Sequence, residues 1–436
     1  MSPSILPFFL HFVFTLCLNL PSSSQSRLPV VAPIYKDHTT SQYILPVDLA
    51  TPPRPTNLLL DLGSLFSWIN CYAPNNYTSS TYRNIPCNFT VCGAIDSFAC
   101  GYCYDLPAGP TCSNNTCEYF PENPYSRTVG LENAVIDVLS LGSTVPSGPP
   151  ESIPDFIFSC AKPDLLKNFA KGVSGLAAFG YSNESIPFQV SNGLSLPRIF
   201  AICLSGSRSP PGPVFLGSAG PYDFPPPGTD LSKGLIYTPI LLDPYGDTVI
   251  TYVRPSAEYF IGVSAIRVNS KNVPLNRTLL KIDPKTGYGG TRLSTIAKYT
   301  TLHPSIFKAV TEAFVQESSA MNLTITDPVE PFTICYPAEN ITATRVGPAV
   351  PTIDLVLQSS NVYWRIYGAN SMVSVGRRKE YSCLGFVDGG PKARTSIVIG
   401  GYQMEDNLLQ FDIEAMRLGF SSSVLARGTT CADYKF

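Results

Sequence analysis

The chain is divided into short apolar segments of the kind that form β-strands. Gly, Pro, Asn and Ser separate segments rich in Val, Ile, Tyr and Phe, which lie at 42–50, 155–160, 212–217, 258–268 and 352–358. The 41 prolines favour the same interpretation, because proline is tolerated in turns and at strand ends but not inside helices. The pattern therefore predicts a mainly β fold with few short helices.

One segment, 304–317, has helical periodicity instead. Its first residue, Pro304, suits the first turn of a helix. Four apolar residues follow at a spacing that places them on one helical face: Ile306, Val310, Ala313 and Phe314. We expect this helix to cover one side of a sheet.

A proline-rich segment, 220–228, separates two parts of similar length. The chain stays polar beyond it, as far as Gly234. We expect an N-terminal unit over 27–222, a linker over 223–236 and a C-terminal unit over 237–436.

The two units contain similar sequence elements in the same order. Each has an apolar strand that enters a tight turn, LLLDLGS at 58–64 and TRLSTIA at 291–297. Each later has an apolar run that closes on glycine, at 174–180 and at 396–401, and the spacing between the two elements is similar in both units. The shared spacing favours a repeated architecture.

The first 26 residues have the pattern of a secretory signal peptide. An apolar stretch over 5–20 precedes small polar residues suited to signal peptidase. A membrane anchor is the alternative, but the stretch is short and lacks a basic flank. We therefore expect cleavage after about residue 26 and a secreted monomer that does not associate with membranes.

The cysteine count agrees with secretion. Of 13 cysteines, Cys17 lies in the predicted signal peptide, and an even number remains. An even number in an oxidising compartment predicts disulfides rather than a zinc site at Cys100 and Cys103, with the pairing left open. The predicted disulfide cysteines are Cys71, Cys87, Cys92, Cys100, Cys103, Cys112, Cys117, Cys160, Cys203, Cys335, Cys383 and Cys431.

Charge and sequon content indicate which kinds of partner and modification to expect. The formal net charge is −2, with no long run of like charge, which does not favour a nucleic-acid partner. Asn-x-Ser/Thr sequons predict glycosylation in solvent-facing loops. The sequon asparagines are Asn76, Asn88, Asn114, Asn183, Asn276, Asn322 and Asn340.

The paired turn elements, together with FDIEAMRLGF near the C-terminus, resemble the pepsin-like aspartic protease family. In that family each lobe offers an aspartate in an Asp-Thr/Ser-Gly-Thr/Ser turn. The two carboxylates meet between the lobes and share one proton. The resemblance implies a mainly β, bilobal pepsin-like aspartic protease fold, in which the two units are the lobes.

Only one of the two expected aspartates is found. Asp61 begins the first turn, but Leu62 follows where the family has a hydroxyl residue, so we expect one bracing hydrogen bond to be lost. In the second turn Ser294 stands at the aspartate position and Ile296 at the glycine position. Because a serine hydroxyl cannot act as the acid or the base, Asp61 and Ser294 are interpreted as vestigial.

No other residue pattern predicts catalysis. Asp283 precedes a proline and Asp388 lies in a glycine-rich loop, so neither fits the aspartate turn. The sequence has no G-x-S-x-G motif and no phosphate-binding glycine loop, and only His38 and His303 lie beyond the signal. We therefore expect no enzyme activity, no cofactor and no metal.

Longer segments are similar to a narrower plant group. They include NNTCEYFPENPYSRTVG, GGTRLSTIAKYTTL and RTSIVIGGYQMEDNLLQFDIEAMRLGF. They resemble the extracellular dermal glycoprotein and xyloglucan-specific endoglucanase inhibitor group, with basic 7S globulins and wheat-type xylanase inhibitors as relatives. The resemblance implies an apoplastic defence protein that binds and blocks a microbial xyloglucan-specific endo-β-glucanase or xylanase. Two alternatives stay open: a weak or atypical aspartic-type endopeptidase that uses Asp61, and a globulin-like storage or peptide-binding protein.

The inhibitor hypothesis points to arginine. Glycoside hydrolases carry paired carboxylates in an open cleft, and a guanidinium group can bind a carboxylate bidentately. Arg345 and Arg394 lie in loops of the C-terminal unit next to prolines that restrict the backbone. We expect these two arginines to be the inhibitory contacts.

Overall fold

The computed structural model describes residues 29–436, apart from 74, 95, 96, 98, 104–108, 208 and 247–254. The signal peptide predicted over 1–26 lies outside the described residues. The architecture is dominated by β-strands, as the apolar segments predicted. Beyond the five α-helices given below, the described helical segments are short 3₁₀ turns.

Strands of the N-terminal half come first in chain order. They are β1 (Val30–Lys36), β2 (Tyr43–Leu49), β3 (Arg54–Asp61), β4 (Trp68–Asn70), β5 (Arg83–Asn84), β6 (Ala99–Gly101), β7 (Thr116–Tyr119), β8 (Glu132–Leu141), β9 (Glu151–Ala161), β10 (Gly175–Ala178), β11 (Ile199–Cys203), β12 (Gly212–Leu216), β13 (Asp223–Phe224) and β14 (Thr229–Asp230).

Strands of the C-terminal half follow. They are β15 (Ile236–Leu241), β16 (Phe260–Ile261), β17 (Ala265–Val268), β18 (Lys271–Asn272), β19 (Thr291–Leu293), β20 (Thr300–Leu302), β21 (Cys335–Pro337), β22 (Ala343–Thr344), β23 (Gly347–Pro348), β24 (Ile353–Val356), β25 (Tyr363–Ile366), β26 (Met372–Val375), β27 (Tyr381–Leu384), β28 (Phe386–Asp388), β29 (Ile397–Ile399), β30 (Leu408–Asp412) and β31 (Arg417–Phe420).

Helices are few. They are α1 (Thr90–Ala94), α2 (Ile186–Leu194), α3 (Pro304–Ala320), α4 (Gly368–Ser371) and α5 (Gly401–Met404). The helix predicted over 304–317 is α3, and its buried face includes Ile306, Val310 and Phe314. The ring of His303 accepts a hydrogen bond from the backbone N–H of Ser305, which caps the start of α3.

An antiparallel sheet shared by both halves lies at the centre of the molecule. Its strand order is β1–β12–β11–β30–β31–β15, with three strands from each half. The two halves join at β11 and β30, where Phe200 pairs with Phe411 and their rings stack at 4.5 Å between centroids. Both aromatic side chains are fully buried, so this junction holds the halves together mainly by apolar burial.

The segment predicted as a linker, 223–236, is ordered. It forms the β13–β14 hairpin, and the side chains of Phe224 and Leu231 are buried in an apolar cluster against the C-terminal region. Asp230 accepts hydrogen bonds from the backbone N–H groups of Tyr222 and Ser232, which fixes the hairpin. The next strand, β15, begins at Ile236 and joins the shared sheet. The boundaries of the two units stay a prediction.

Six disulfides join the twelve predicted cysteines, so this prediction is confirmed. Three of them lie in the cysteine-rich region of the N-terminal half, and the longest-range one ties β11 to the C-terminus. The pairs are Cys71–Cys160, Cys87–Cys100, Cys92–Cys117, Cys103–Cys112, Cys203–Cys431 and Cys335–Cys383.

The surface is compatible with the predicted glycans. The asparagine of each of the seven sequons is exposed, so a glycan could project into solvent at each position without disturbing the core. Within the described residues, no helix has both the length and the apolar character needed to cross a membrane. The same residues contain no cluster of three or more His, Cys, Asp or Glu side chains placed to hold a metal ion.

We expect the disulfides to contribute unequally to stability. Cys203 and Cys431 close a loop with a sequence separation of 228, whereas Cys103 and Cys112 close one of 9. The chain-entropy argument then makes replacement of the first pair by alanines roughly 3 kcal/mol more costly than replacement of the second. Equilibrium unfolding in guanidinium chloride measures both variants. Equal losses for the two pairs would contradict this expectation.

Candidate functional site

Two strands bring Asp61 and Ser294 to the same cleft. Asp61 ends β3, which pairs in parallel with β10 so that Leu60 lies opposite Ala177. In the second half β19 pairs in parallel with β29, and Leu293, just before Ser294, lies opposite Ile399. Asp61 and Ser294 therefore follow equivalent strand positions, and both line a cavity of about 270 Å³ between the two halves.

The carboxylate of Asp61 is held by its own turn. Its Oδ1 accepts a hydrogen bond from the backbone N–H of Gly63 at 2.9 Å, and its Oδ2 accepts one from the Ser64 hydroxyl at 2.5 Å. A Cβ at position 63 would lie 3.1 Å from Cγ of Glu258, so the turn leaves little room for a side chain. Burial raises the pKa of Asp61, and the two hydrogen bonds and the charge of Arg292 offset this only in part.

The uncharged hydroxyl of Ser294 accepts the hydrogen bonds of its own turn. Its Oγ accepts hydrogen bonds from the backbone N–H groups of Ile296 and Ala297, each at 3.2 Å. These contacts correspond to the ones that the carboxylate of Asp61 makes with residues two and three positions after it. Ile296 packs in an apolar cluster with Leu59 and Tyr125 where a glycine would leave space. The second turn is therefore stable with a hydroxyl at its first position.

The two turns are braced from one side. The hydroxyl of Thr295 donates a hydrogen bond to the carbonyl oxygen of Leu60 at 2.7 Å and accepts one from the N–H of Leu62 at 3.3 Å. Leu62 cannot return such a bond, because its fully buried side chain is apolar. The bond expected to be lost at Leu62 is indeed missing, but the brace from Thr295 remains.

Sequence reasoning missed a charged pair in this cavity. Arg292 forms an ion pair with Glu258, and both residues line the cavity beside Asp61. A second pair, between Arg127 and Glu122, lies on the cavity wall with an N–O distance of 3.0 Å. One signal was present in the sequence, since Arg292 is a charged residue in the strand segment that leads into the second turn.

The remainder of the cavity wall is mainly apolar, with Ser256 as a polar exception. It includes the aromatic side chains of Phe66, Trp68 and Phe120. The two nearby aspartates that the sequence excluded are both exposed and lie outside the cavity lining, where each accepts a hydrogen bond within its own turn: Asp283 from Lys285 and Asp388 from Gly390. They do not supply a second carboxylate to Asp61.

Arg394, the second predicted contact, is paired inside the protein. Its Nη2 donates hydrogen bonds to Oδ2 of Asp243 at 2.9 Å and to the carbonyl oxygen of Tyr245 at 2.7 Å. The Asp243 side chain is fully buried and needs a compensating charge, which Arg394 provides. Arg394 is therefore engaged within its own half through Nη2.

Arg345 has a different environment. It occupies the exposed turn of the β22–β23 hairpin, and none of the described residues forms an ion pair or side-chain hydrogen bond with its guanidinium group. The turn itself is anchored, because the N–H of Ala369 donates a hydrogen bond to the carbonyl oxygen of Val346 at 2.8 Å. Gly347, at φ 92°, allows the close approach of the two backbones at this point.

Comparison with known protein families assigns both halves of the chain. Residues 43–218 match the xylanase inhibitor N-terminal family, and residues 258–422 match the xylanase inhibitor C-terminal family. The chain belongs to the xylanase inhibitor (TAXi) family. This confirms the pepsin-like resemblance that the two turns and the C-terminal segment indicated.

Individual TAXi-family relatives match over nearly the full length. The chain is 46% identical over 411 residues to "Probable aspartic proteinase GIP2" of Nicotiana benthamiana, covering 93% of this chain and 92% of that protein. It is 32% identical to "Basic 7S globulin" of Glycine max, covering 99% and 98%. The crystal structure of edgp superposes with a TM-score of 0.89 at 46% identity, covering 94% of this chain and 99% of that one. The expected bilobal pepsin-like fold is confirmed.

Asp61 gives this TAXi-family site a measurable pH dependence. Its folded pKa is raised above its usual 3.8, so the folded state binds more protons and loses stability as the pH rises through the interval between the two pKa values. We expect Asp61→Asn to be more stable than the wild type above this interval, and the difference to shrink below pH 3.8. Thermal unfolding across pH measures it. A variant that is less stable at neutral pH would show that the ionised carboxylate is favoured in the fold.

Proposed function

We propose that this protein is a secreted, non-catalytic inhibitor of a microbial cell-wall-degrading glycoside hydrolase, either a xyloglucan-specific endo-β-glucanase or a xylanase, and that it acts in plant defence in the apoplast. The observation that carries the proposal is the cleft itself. Its first turn presents the carboxylate of Asp61, and its second turn presents the hydroxyl of Ser294.

Aspartic protease chemistry needs two carboxylates that share one proton, one to activate a water molecule and one to protonate or polarise the carbonyl. The Ser294 hydroxyl has no accessible proton equilibrium for either role. Glu258 also lies near Asp61, but its carboxylate is already paired with Arg292. In addition, the side chain of Ile296 fills space at the position where the catalytic turn motif has glycine. Turnover of a peptide substrate is therefore not expected.

Inhibition requires a surface group that complements a hydrolase cleft. The paired carboxylates of glycoside hydrolases lie at the bottom of such a cleft, and arginine is suited to bind them because it stays charged and forms bidentate hydrogen bonds. Arg345 is exposed at a hairpin tip, and the anchored backbone of that hairpin reduces the conformational entropy lost on docking. We therefore assign the inhibitory contact to Arg345 and no longer to Arg394.

Secretion and glycosylation form part of the same proposal. Six disulfides suit an oxidising compartment, and exposed asparagines in all seven sequons suit glycan attachment. The names of two relatives correspond to the two alternative functions, an aspartic-type endopeptidase and a globulin-like protein. One relative is called a probable aspartic proteinase and another a basic 7S globulin, and neither name decides what this chain does.

The deciding experiment combines two assays of the glycosylated mature protein. We expect it to lower reducing-sugar release by either fungal xyloglucanases or xylanases, and to cleave no protein substrate at acid pH with or without pepstatin. Inhibition of one hydrolase class identifies the target. Pepstatin-sensitive proteolysis would overturn the proposal in favour of a peptidase, and absence of both activities would favour the globulin-like alternative.

Variants of the two arginines test the assignment of the contact. We expect Arg345→Ala to weaken inhibition at least tenfold, about 1.4 kcal/mol, while the thermal stability stays unchanged because its side chain has no partner among the described residues. Arg394→Ala should instead lower the free energy of unfolding by roughly 3 kcal/mol, because it removes the partner of a buried carboxylate.

Lys171→Ala is the matched control, since it removes one exposed positive charge from the N-terminal half. Inhibition constants and melting temperatures are measured for all three variants. If Arg345→Ala and Lys171→Ala inhibit equally well, Arg345 is not the contact.

A further inference from the structure

A second cavity, of about 170 Å³, lies where the two halves meet away from the Asp61 cleft. One wall comes from β1, β2 and the turn between them. The other comes from the segment before β20, from β26, and from α5 and the residue that follows it. The side chains relevant to its chemistry are those of Lys36, Tyr43, Lys298, Tyr299, Tyr402 and Glu405. No part of the inhibitor proposal uses this cavity.

One lysine of the cavity is neutralised within the protein. Lys36 forms an ion pair with Oε1 of Glu405, and the side chains are only 10% and 7% exposed. The hydroxyl of Tyr43 donates a hydrogen bond to the same oxygen at 2.7 Å. The Lys36–Glu405 pair also joins the N-terminal half to the C-terminal half.

The second lysine is not neutralised in this way. The ammonium group of Lys298 lies 5.1 Å from the ring centroid of Tyr299, but it forms no ion pair or hydrogen bond with any of the described residues. The next carboxylate along the chain, that of Asp406, accepts a hydrogen bond from the N–H of Cys431 and does not line the cavity. The cavity therefore contains two ammonium groups and one carboxylate.

The electrostatics of the cavity agree with an excess of positive charge. Burial lowers the pKa of Lys298, the nearby charge of Lys36 lowers it further, and Glu405 offsets this only in part. An anion in the cavity would remove this penalty, because the attraction between opposite charges strengthens where water is partly excluded.

We infer that this cavity binds a small oxyanion, held between Lys298 and Lys36 where the two halves meet. Its volume is below that of pockets for drug-sized ligands, which suits an ion of a few atoms or a single sugar unit. Oxyanions accept charge-assisted hydrogen bonds from ammonium groups. The chemistry is shared by inorganic sulfate or phosphate and by the carboxylate of a sugar acid such as galacturonate.

Titration calorimetry of the full mature protein tests the inference. Sodium sulfate, sodium phosphate and sodium galacturonate are added at one fixed pH and at an ionic strength held constant with sodium chloride. We expect saturable binding of at least one of these anions. Tighter binding of galacturonate identifies a sugar acid as the ligand class, and tighter binding of sulfate or phosphate identifies an inorganic oxyanion.

Variants locate the site. Lys298→Ala should weaken anion binding at least tenfold, and Lys298→Arg should retain most of it because the charge is kept. Lys298 lines the cavity but is exposed as a residue, so neither change is expected to unfold the protein. Lys392→Ala removes another exposed lysine and should leave binding unchanged. Equal weakening by Lys298→Ala and Lys392→Ala, or no saturable binding of any of the three anions, would overturn the inference.

Discussion

The pairing of β11 with β30 fixes the geometry of the whole molecule. Through it, three strands from each half form one antiparallel sheet, and the buried rings of Phe200 and Phe411 stack across the junction. Because the sheet is continuous, the two halves cannot separate without exposing this apolar contact to water. The cleft with Asp61 and the cavity with Lys298 both lie between halves whose relative position this sheet determines.

The Asp61 cleft is built from two turns, of which only the first begins with an acidic residue. Asp61 accepts hydrogen bonds from the N–H of Gly63 and the hydroxyl of Ser64, and Ser294 accepts them from two backbone N–H groups of its own turn. The hydroxyl of Thr295 braces the two turns. The hydrogen bonds of the two turns thus need only one carboxylate, so the stability of the scaffold is a separate question from any peptidase activity.

The pairing of buried charges explains why the two predicted contact arginines have different environments. Buried carboxylates need a partner, and Asp243 takes Arg394 just as Glu258 takes Arg292. Arg345 stays exposed because its hairpin turn contains no acidic residue and is anchored through backbone groups. Nothing in the residues next to Arg394 reveals Asp243, which is distant in the sequence.

The sequence by itself determined the β-rich class, helix α3, the number of disulfides, and the aspartate and serine of the two turns. These features depend on local periodicity, cysteine parity and motifs of a few consecutive residues, which a sequence displays directly. Only the tertiary structure decided which cysteines pair, which carboxylate each arginine binds, and that Lys36 and Lys298 share a cavity. Those outcomes depend on distances between residues far apart in the chain, and the pairing of β11 with β30 sets the ones between the two halves.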